Sequence, residues 1–223
     1  MYKFNYPQLI PEENPSFTCV VPAGWPLKKL PTMGGIVNYV NTLDQLTACA
    51  PIVFEFSDAE LKDESSRTVY LDLQSGGSKL FAKPAKIRFQ PIAESEGGKE
   101  WCVEVALLNH LFGFNAPSAL IGNVYLDYAY LQAVMQKSSD YEFRYGIGDN
   151  PLDILSGITG PCEPGSAKCA FGMMFCKPEN MHLAHLEQAM GVTSELVAND
   201  GLVLFGDVGV DQEETLISML IGH

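Results

Sequence analysis

Lysine and arginine are missing from the last 46 residues: neither follows Lys177, whereas eight acidic residues do. The imbalance covers the whole second half of the chain. Residues 1–99 hold 10 basic and 11 acidic residues, and residues 100–223 hold 4 and 16, so the formal net charge of −13 comes almost wholly from the second half. Such a surface repels phosphate backbones and anionic lipid. We therefore predict no nucleic-acid binding through the acidic C-terminal half and no membrane binding.

Long apolar runs and an export signal are also missing. No window contains 18 consecutive apolar residues, and the first residues do not combine a basic start with an apolar core and a cleavage site. The six cysteines are spread over a chain without an export signal, so reduced thiols are expected rather than a disulfide framework. These absences predict a cytoplasmic protein, or a virion protein if the source is viral.

The composition is that of a folded globular protein, with 47% hydrophobic and 18% charged residues in 223. Six prolines within the first 31 residues predict an extended N-terminal arm over residues 1–35. Residues 36–223 are predicted to form a single α+β domain with a mixed or antiparallel sheet and about four helices.

Hydrophobic periodicity and turn residues predict the individual elements. The stretch 146–165 is predicted to be largely loop, because it is dense in glycine and proline. A capping-box pattern at Asp211 and Glu214 predicts a last helix. The other predicted helices cover residues 36–48, 101–112, 126–136 and 178–190. The predicted strands lie at residues 16–21, 52–56, 68–73, 86–89, 120–126, 141–145 and 202–205, with a hairpin turn at 75–78.

A glycine-rich turn, a lysine and an acidic helix follow one another in the first half. Gly76 and Gly77 lie in the hairpin, Lys83 follows on the returning strand, and Glu104 lies on the next helix. This order matches the outline of a protein-kinase small lobe. The stretch from Glu100 to Pro117 resembles the helix and turn of HipA-type kinase-like proteins, which implies nucleotide binding by Gly76, Gly77, Lys83 and Glu104. The His-Arg-Asp and Asp-Phe-Gly motifs of phosphoryl transfer do not follow.

Residues that ligate transition metals cluster between positions 162 and 185. Glu179 and His182 are three residues apart on a predicted helix, so both could face one ion. The cysteines are seven residues apart, which differs from the Cys-x2-Cys spacing of structural zinc sites. The candidate ligands are Cys169, Cys176, His182 and His185, with Cys162 and Glu179 nearby.

A cysteine or serine nucleophile has little support in the sequence. Cys102 and His110 are eight residues apart in one predicted helix, about 12 Å along its axis, which is too far for direct proton transfer. The pair Gly165-Ser166 lacks the preceding strand and the closing glycine of a nucleophile elbow. No catalytic residue is therefore predicted.

Lys79, Lys83, Lys86 and Arg88 form the one concentrated basic stripe of the sequence, within 10 residues. The acidic C-terminal residues are its counterpart. The two could meet inside one subunit or head to tail between subunits, and a head-to-tail contact would build rings or filaments.

Together these features predict a non-enzymatic structural or interaction subunit of a larger multi-protein assembly, for example a phage or virion component or an accessory factor. We expect protein partners in a homo- or hetero-oligomer and no cofactor. The alternatives are a kinase-like nucleotide-binding module or enzyme, an acidic inhibitor that mimics nucleic acid, and a small metal-binding regulator.

Overall fold

The computed structural model describes residues 17–25, 37–42, 52–58, 67–75, 77–90, 103–113, 126, 128–211 and 213–223. Within these ranges the chain forms ten strands and four α-helices. The strands are β1 (Phe17–Val20), β2 (Val37–Val40), β3 (Ile52–Asp58), β4 (Thr68–Ser75), β5 (Ser78–Lys79), β6 (Ala85–Phe89), β7 (Asp140–Gly148), β8 (Ala167–Cys176), β9 (Val197–Gly209) and β10 (Thr215–Gly222). The helices are α1 (Val103–Phe112), α2 (Tyr128–Met135), α3 (Pro151–Thr159) and α4 (Leu183–Leu196), and a 3-10 turn covers Pro178–Asn180.

All ten strands belong to one mixed sheet with the order β2-β1-β3-β4-β6-β7-β10-β8-β9, and β5 pairs with β4. β1 runs parallel to β2 and β3, whereas β4 is antiparallel to β3 and β6. β6 is parallel to β7, and β8 is parallel to β9. β10 is inserted antiparallel between β7 and β8. The strands β6, β7, β8 and β9 therefore all point the same way.

Helices cover both faces of the sheet, because parallel neighbours need crossover connections. The connection from β6 to β7 carries α1 and α2, which pack into the larger hydrophobic core on the first face of the sheet. α3 and α4 lie on the second face, where they contact each other. α3 lies against β7 and β10, and α4 lies against β8 and β9. Among the described elements, no helix covers β3, β4 or β6 on this second face.

Aromatic residues join the two halves of the sheet on the first face. The ring centroids of Phe54 on β3 and Phe112 on α1 are 4.7 Å apart in an edge-to-face arrangement. Phe17 on β1 contacts both rings. Such pairs contribute about 0.5–1.5 kcal/mol beyond the area they bury. The N-terminal strands are thus held to α1 by one continuous core.

The second core packs α3 and α4 onto the sheet. Gly146 on β7 allows α3 to approach closely, because a Cβ at this position would lie 2.8 Å from Ile154 Cγ2. Leu186 and Ala189 are the inward residues of α4 and are buried in this core. The burial of apolar side chains on both faces makes β8 and β10 fully interior strands.

β9 is the last strand of the described sheet and contains a bulge. Ala167 pairs with Val197 and Cys169 pairs with Leu202, so the residues 198–201 of β9 lie opposite Lys168 alone. Gly201 is needed in this bulge, because a Cβ there would lie 2.6 Å from the carbonyl oxygen of Lys168. The regular pairing of β9 with β8 therefore begins at Leu202.

The α+β class, the single domain, the mixed sheet and the number of helices are confirmed. The hairpin turn is also confirmed: Ser75 pairs with Ser78, and Gly77 has a φ of 79°. α1 and α2 lie where helices were predicted, as do the strands β1, β3, β4, β6 and β7.

Two predicted helices are wrong because sheet pairing determines their conformation. The described residues 37–40 of the helix predicted over 36–48 form β2, which pairs with β1. The helix predicted after Asp211 is β10, whose residues Leu216 to Ile221 are buried between β7 and β8. An apolar run that is buried on both faces has no strand alternation, so its spacing can imitate a helix.

The predicted loop over 146–165 is also wrong. Pro151 occupies the first turn of α3, and the side chain of Asn150 caps the helix by accepting a hydrogen bond from the Leu152 amide at 3.1 Å. An Asn-Pro pair therefore starts a helix here.

β8 was not predicted at all. The helix predicted at 178–190 is a 3-10 turn followed by α4, which continues through Gly191 to Leu196. The short strand predicted at 202–205 is part of the longer β9.

The predicted arm and the strand predicted over 120–126 lie mostly outside the described residues. Phe17–Val20 is an internal strand of the sheet, between β2 and β3. None of the helices in the described ranges is long and apolar enough to cross a membrane.

Candidate functional site

The second face of the sheet carries a polar surface beside α3. Val69, Leu71 and Ile87 point into the first core, so the alternate residues of β4 and β6 point to the second face. Cross-strand pairing then forms a row of Tyr70, Lys86 and Asp140. We name this region, together with Lys83 and Arg88, the open sheet surface. Tyr70 is 37% exposed and is one of few large apolar side chains with that much exposure among the described residues.

Part of the charge on the open sheet surface is balanced within the subunit. Arg88 Nη2 lies 3.3 Å from Asp140 Oδ1. Lys79 on β5 forms an ion pair with Asp72 on β4, and this hydrogen bond raises the lysine pKa. Lys83 is exposed in the loop between β5 and β6. Of the four residues in the predicted basic stripe, Lys79 and Arg88 therefore have internal partners, whereas Lys83 and Lys86 form no ion pair with the described part of the chain.

A buried ion pair lies next to this surface, under the end of α3. Arg144 Nε donates to Glu142 Oε1 at 2.7 Å, and Arg144 Nη1 donates to the carbonyl oxygen of Ile158 on α3 at 2.9 Å. His223 Nε2 is 3.4 Å from Glu142 Oε2. Burial raises the pKa of the neighbouring Cys162 thiol, and Arg144 opposes that shift only in part. The thiol therefore stays protonated near neutral pH, and the group serves to fix α3 on β7.

The residues of the kinase-like outline do not come together. Glu104 on α1 is buried and forms an ion pair with Arg67. Lys83 lies in a loop rather than on a returning strand. Gly77 forms the hairpin turn, and Gly76 lies outside the described residues. The lysine–glutamate pair that this interpretation requires is thus replaced by an arginine–glutamate pair.

The predicted metal ligands are also separated. Cys169 points into the first core and Cys176 into the second, so the two thiols lie on opposite faces of the sheet. Burial raises the pKa of Cys176 to about 12, with Asp207 and Glu179 adding to the shift. His182 and His185 stay adjacent, with ring centroids 5.2 Å apart. Within the described ranges no group of three or more His, Cys, Asp or Glu side chains could hold a metal ion.

His110 is a core residue. Its ring packs between Phe143 and Phe171, and Nδ1 is 2.9 Å from Ser218 Oγ. Burial lowers its pKa to about 3. Its intended partner Cys102 lies outside the described residues. A neutral imidazole without exposure to solvent cannot activate a nucleophile at the surface.

The outer surface of α4 is the second exposed feature of interest. Leu183 is 57% exposed and Met190 is 36% exposed. They are seven residues apart, so both lie on one flank of the helix, with the exposed Glu187 between them. We name these three residues the α4 flank.

The sequence interpretation missed Tyr70, Leu183 and Met190. The strand alternation puts Tyr70 on the face opposite to the apolar residues Val69 and Leu71. The seven-residue spacing of Leu183 and Met190 is visible once the bounds of α4 are known. Neither pattern reveals that a side chain stays exposed, because exposure depends on which neighbouring elements cover it.

No protein-family model matches the sequence, and the search of curated proteins gave no match. Solved structures resemble part of the chain. They include an FtsZ dimer from M. jannaschii, with TM-score 0.45 and 14% identity over 57% of this chain and 42% of that one. CetZ2 from Haloferax volcanii, described as a GTPγS-bound protofilament, has TM-score 0.41 and 15% identity over 60% and 43%. TubZ from Bacillus thuringiensis serovar israelensis, described as GDP-form protofilaments, has TM-score 0.35 and 14% identity over 45% and 30%.

The chain thus matches less than half the length of these proteins. The predicted function as a non-enzymatic phage or virion subunit or accessory factor is wrong, because the similar solved structures are FtsZ, CetZ and TubZ chains. The predicted association with like chains fits the words dimer and protofilament in those descriptions, which apply to those proteins.

Proposed function

We propose that this protein associates with copies of itself, head to tail, through surfaces of opposite charge. The observation that carries the proposal is the distance between Lys83 and Lys86 and the exposed acidic residues of the C-terminal half. Lys83 precedes β6 and Lys86 lies in it. The exposed acidic residues of the second half lie on α4 and near the ends of β8, β9 and β10. These acidic residues are Glu179, Glu187, Glu195, Asp200 and Asp211.

The sheet order keeps the two regions apart within one subunit. β6 and β9 are four steps apart in the order β6-β7-β10-β8-β9, which is about 19 Å at about 4.8 Å per strand. α3 stands between them on the second face. Over this distance, exposed charges are screened at physiological salt, where the Debye length is about 8 Å. Contact between the two surfaces therefore requires a second copy, and a contact of two different surfaces can repeat.

The test is the solution mass of untagged protein, measured by light scattering at about 50 mM and 500 mM salt, which brackets weak and strong screening. We expect masses above 24.4 kDa at low salt that return to 24.4 kDa at high salt. A double variant, Lys83→Glu with Lys86→Glu, should stay at the monomer mass at both salts. Lys137→Glu changes the charge of an exposed lysine elsewhere and should behave as wild type. Wild-type protein that is monomeric at low salt would overturn the proposal.

We further propose that the partners are proteins rather than nucleic acid and that the chain works in the cytosol. The first part rests on the acidic second half of the sequence, which would repel a phosphate backbone.

A further inference from the structure

We infer that the α4 flank of one copy packs on the open sheet surface of the next, with Leu183 and Met190 against Tyr70. This inference rests on the proposed self-association and names its two surfaces. Each surface has an apolar centre with a charged residue beside it, Lys86 next to Tyr70 and Glu187 between Leu183 and Met190, and these two charges are opposite.

On the helix side, the α4 flank is a solvent-exposed surface next to the buried face of the helix. Leu186, Ala189 and Thr193 face the sheet and are buried. α3 lies against β7 and β10 while α4 lies against β8 and β9, so α3 occupies the inner side of α4. Leu183 and Met190 remain exposed beside this buried stripe, so their flank of α4 faces solvent. Among the described elements, nothing covers it.

On the sheet side, a helix is the element that fits. The second face has α3 and α4 on β7 to β9 and no described helix on β3, β4 and β6. A helix about 10 Å wide spans two strands that are about 4.8 Å apart, so one helix would cover β4 and β6 beside α3. An incoming α4 would thus continue the existing helical layer and lie directly over Tyr70.

Hydrophobic exposure and charge favour the same pairing. The large hydrophobic side chains that remain exposed in the described residues are Tyr70, Tyr130, Leu183 and Met190, and three of these four belong to the two surfaces. Interfaces characteristically combine an apolar centre with a polar rim, and tyrosine is enriched among their strongest contacts. Glu187 lies between Leu183 and Met190, and Lys86 is next to Tyr70 in the cross-strand row. Asp140 is engaged by Arg88, so Lys86 is available to Glu187 of the second copy.

The decisive experiment uses two single variants, Tyr70→Asp and Leu183→Asp. Both positions are exposed, so folding should be kept, which circular dichroism would verify. Each variant has one damaged and one intact surface. Alone at low salt, each should lose association by at least about tenfold, because placing a charge at an apolar hot spot costs more than about 1.4 kcal/mol. Tyr130→Asp changes an exposed tyrosine outside the two surfaces and should assemble as wild type.

Mixing the two variants tests whether these surfaces meet each other. The intact α4 flank of Tyr70→Asp should bind the intact open sheet surface of Leu183→Asp. The complex should stop at about twice 24.4 kDa, because both remaining surfaces carry an added aspartate. A mixture that stays monomeric, or single variants that assemble as wild type does, would overturn the inference while the proposed self-association stands. Wild-type protein without self-association would overturn both.

Discussion

Arg144 donates a hydrogen bond to Glu142 two residues earlier on the same strand, and both side chains are 8% exposed. The pair faces α3 at the boundary between the covered and the open part of the second sheet face. A buried ion pair of this kind positions elements, because removing one partner leaves an uncompensated charge without water.

Replacing Glu142 by leucine should therefore destabilise the protein by about 3–5 kcal/mol, the cost of leaving Arg144 buried and unpaired. Urea unfolding measures this change. Adding Arg144→Met to the same chain should recover most of the loss, since an apolar pair often replaces a buried ion pair without cost. Glu163→Leu, at an exposed position, is the control. A loss no greater than that of the control would show that the pair does not hold α3.

The burial of His110 predicts a specific pH dependence of stability. Its pKa is about 3 in the folded protein, below the ordinary value of 6.5, so protons bind more readily to the unfolded chain. The stability that the neutral ring supports is complete above pH 6.5 and declines as the pH falls from 6.5 towards 3. Between pH 7.5 and 5.0, wild type should lose about 2 kcal/mol more than His110→Leu, at about 1.4 kcal/mol per pH unit below 6.5.

Urea unfolding of both proteins at the two pH values gives this difference, and the titration of other groups cancels between them. His182→Leu removes an exposed histidine and should follow the wild-type curve. If wild type and His110→Leu lose stability in parallel, His110 is not held neutral by burial.

Gly172 on β8 should tolerate no side chain. A Cβ there would lie 2.2 Å from two atoms of the Phe205 ring on β9, so Gly172→Ala should cost about 1–3 kcal/mol through overpacking. Phe205→Leu in the same chain should restore part of that loss. Gly157→Ala is the matched control, because a Cβ at this position in α3 meets nothing within 4 Å. That variant should gain about 0.5–1 kcal/mol from helix propensity. Equal melting temperatures for the two alanine variants would contradict the packing of β8 on β9.

Local signals in the sequence were sufficient where an element is determined by its own residues. The spacing of Val105, Leu108 and Phe112 predicted α1, and the Gly-rich turn predicted the β4–β5 hairpin. Tertiary pairing decided the elements that were missed. Leu216, Ile217, Leu220 and Ile221 have helical spacing, yet they form a strand because β7 and β8 pair with them on both sides. Leu220, for example, lies opposite Phe143 and Phe171.

The candidate surfaces were predictable in part. Clustering along the sequence identified Lys83 and Lys86, because they lie close together on one loop and strand. It could not show that Lys79 and Arg88 are bound by Asp72 and Asp140, which come from other strands. Nor could it show that Cys169 and Cys176 lie on opposite faces of the sheet. Their odd spacing has that effect only because both residues lie in one strand, β8.

The bulge at residues 198–201 has a consequence for proteostasis. A long edge strand is a template for uncontrolled strand addition, and bulges are one of the devices that prevent it. Here the hydrogen-bonding ladder of β9 is interrupted at its exposed end, where Asn199 and Asp200 also present polar side chains to solvent. The bulge should therefore disfavour cross-β strand addition at this end of β9 in concentrated solutions of the protein.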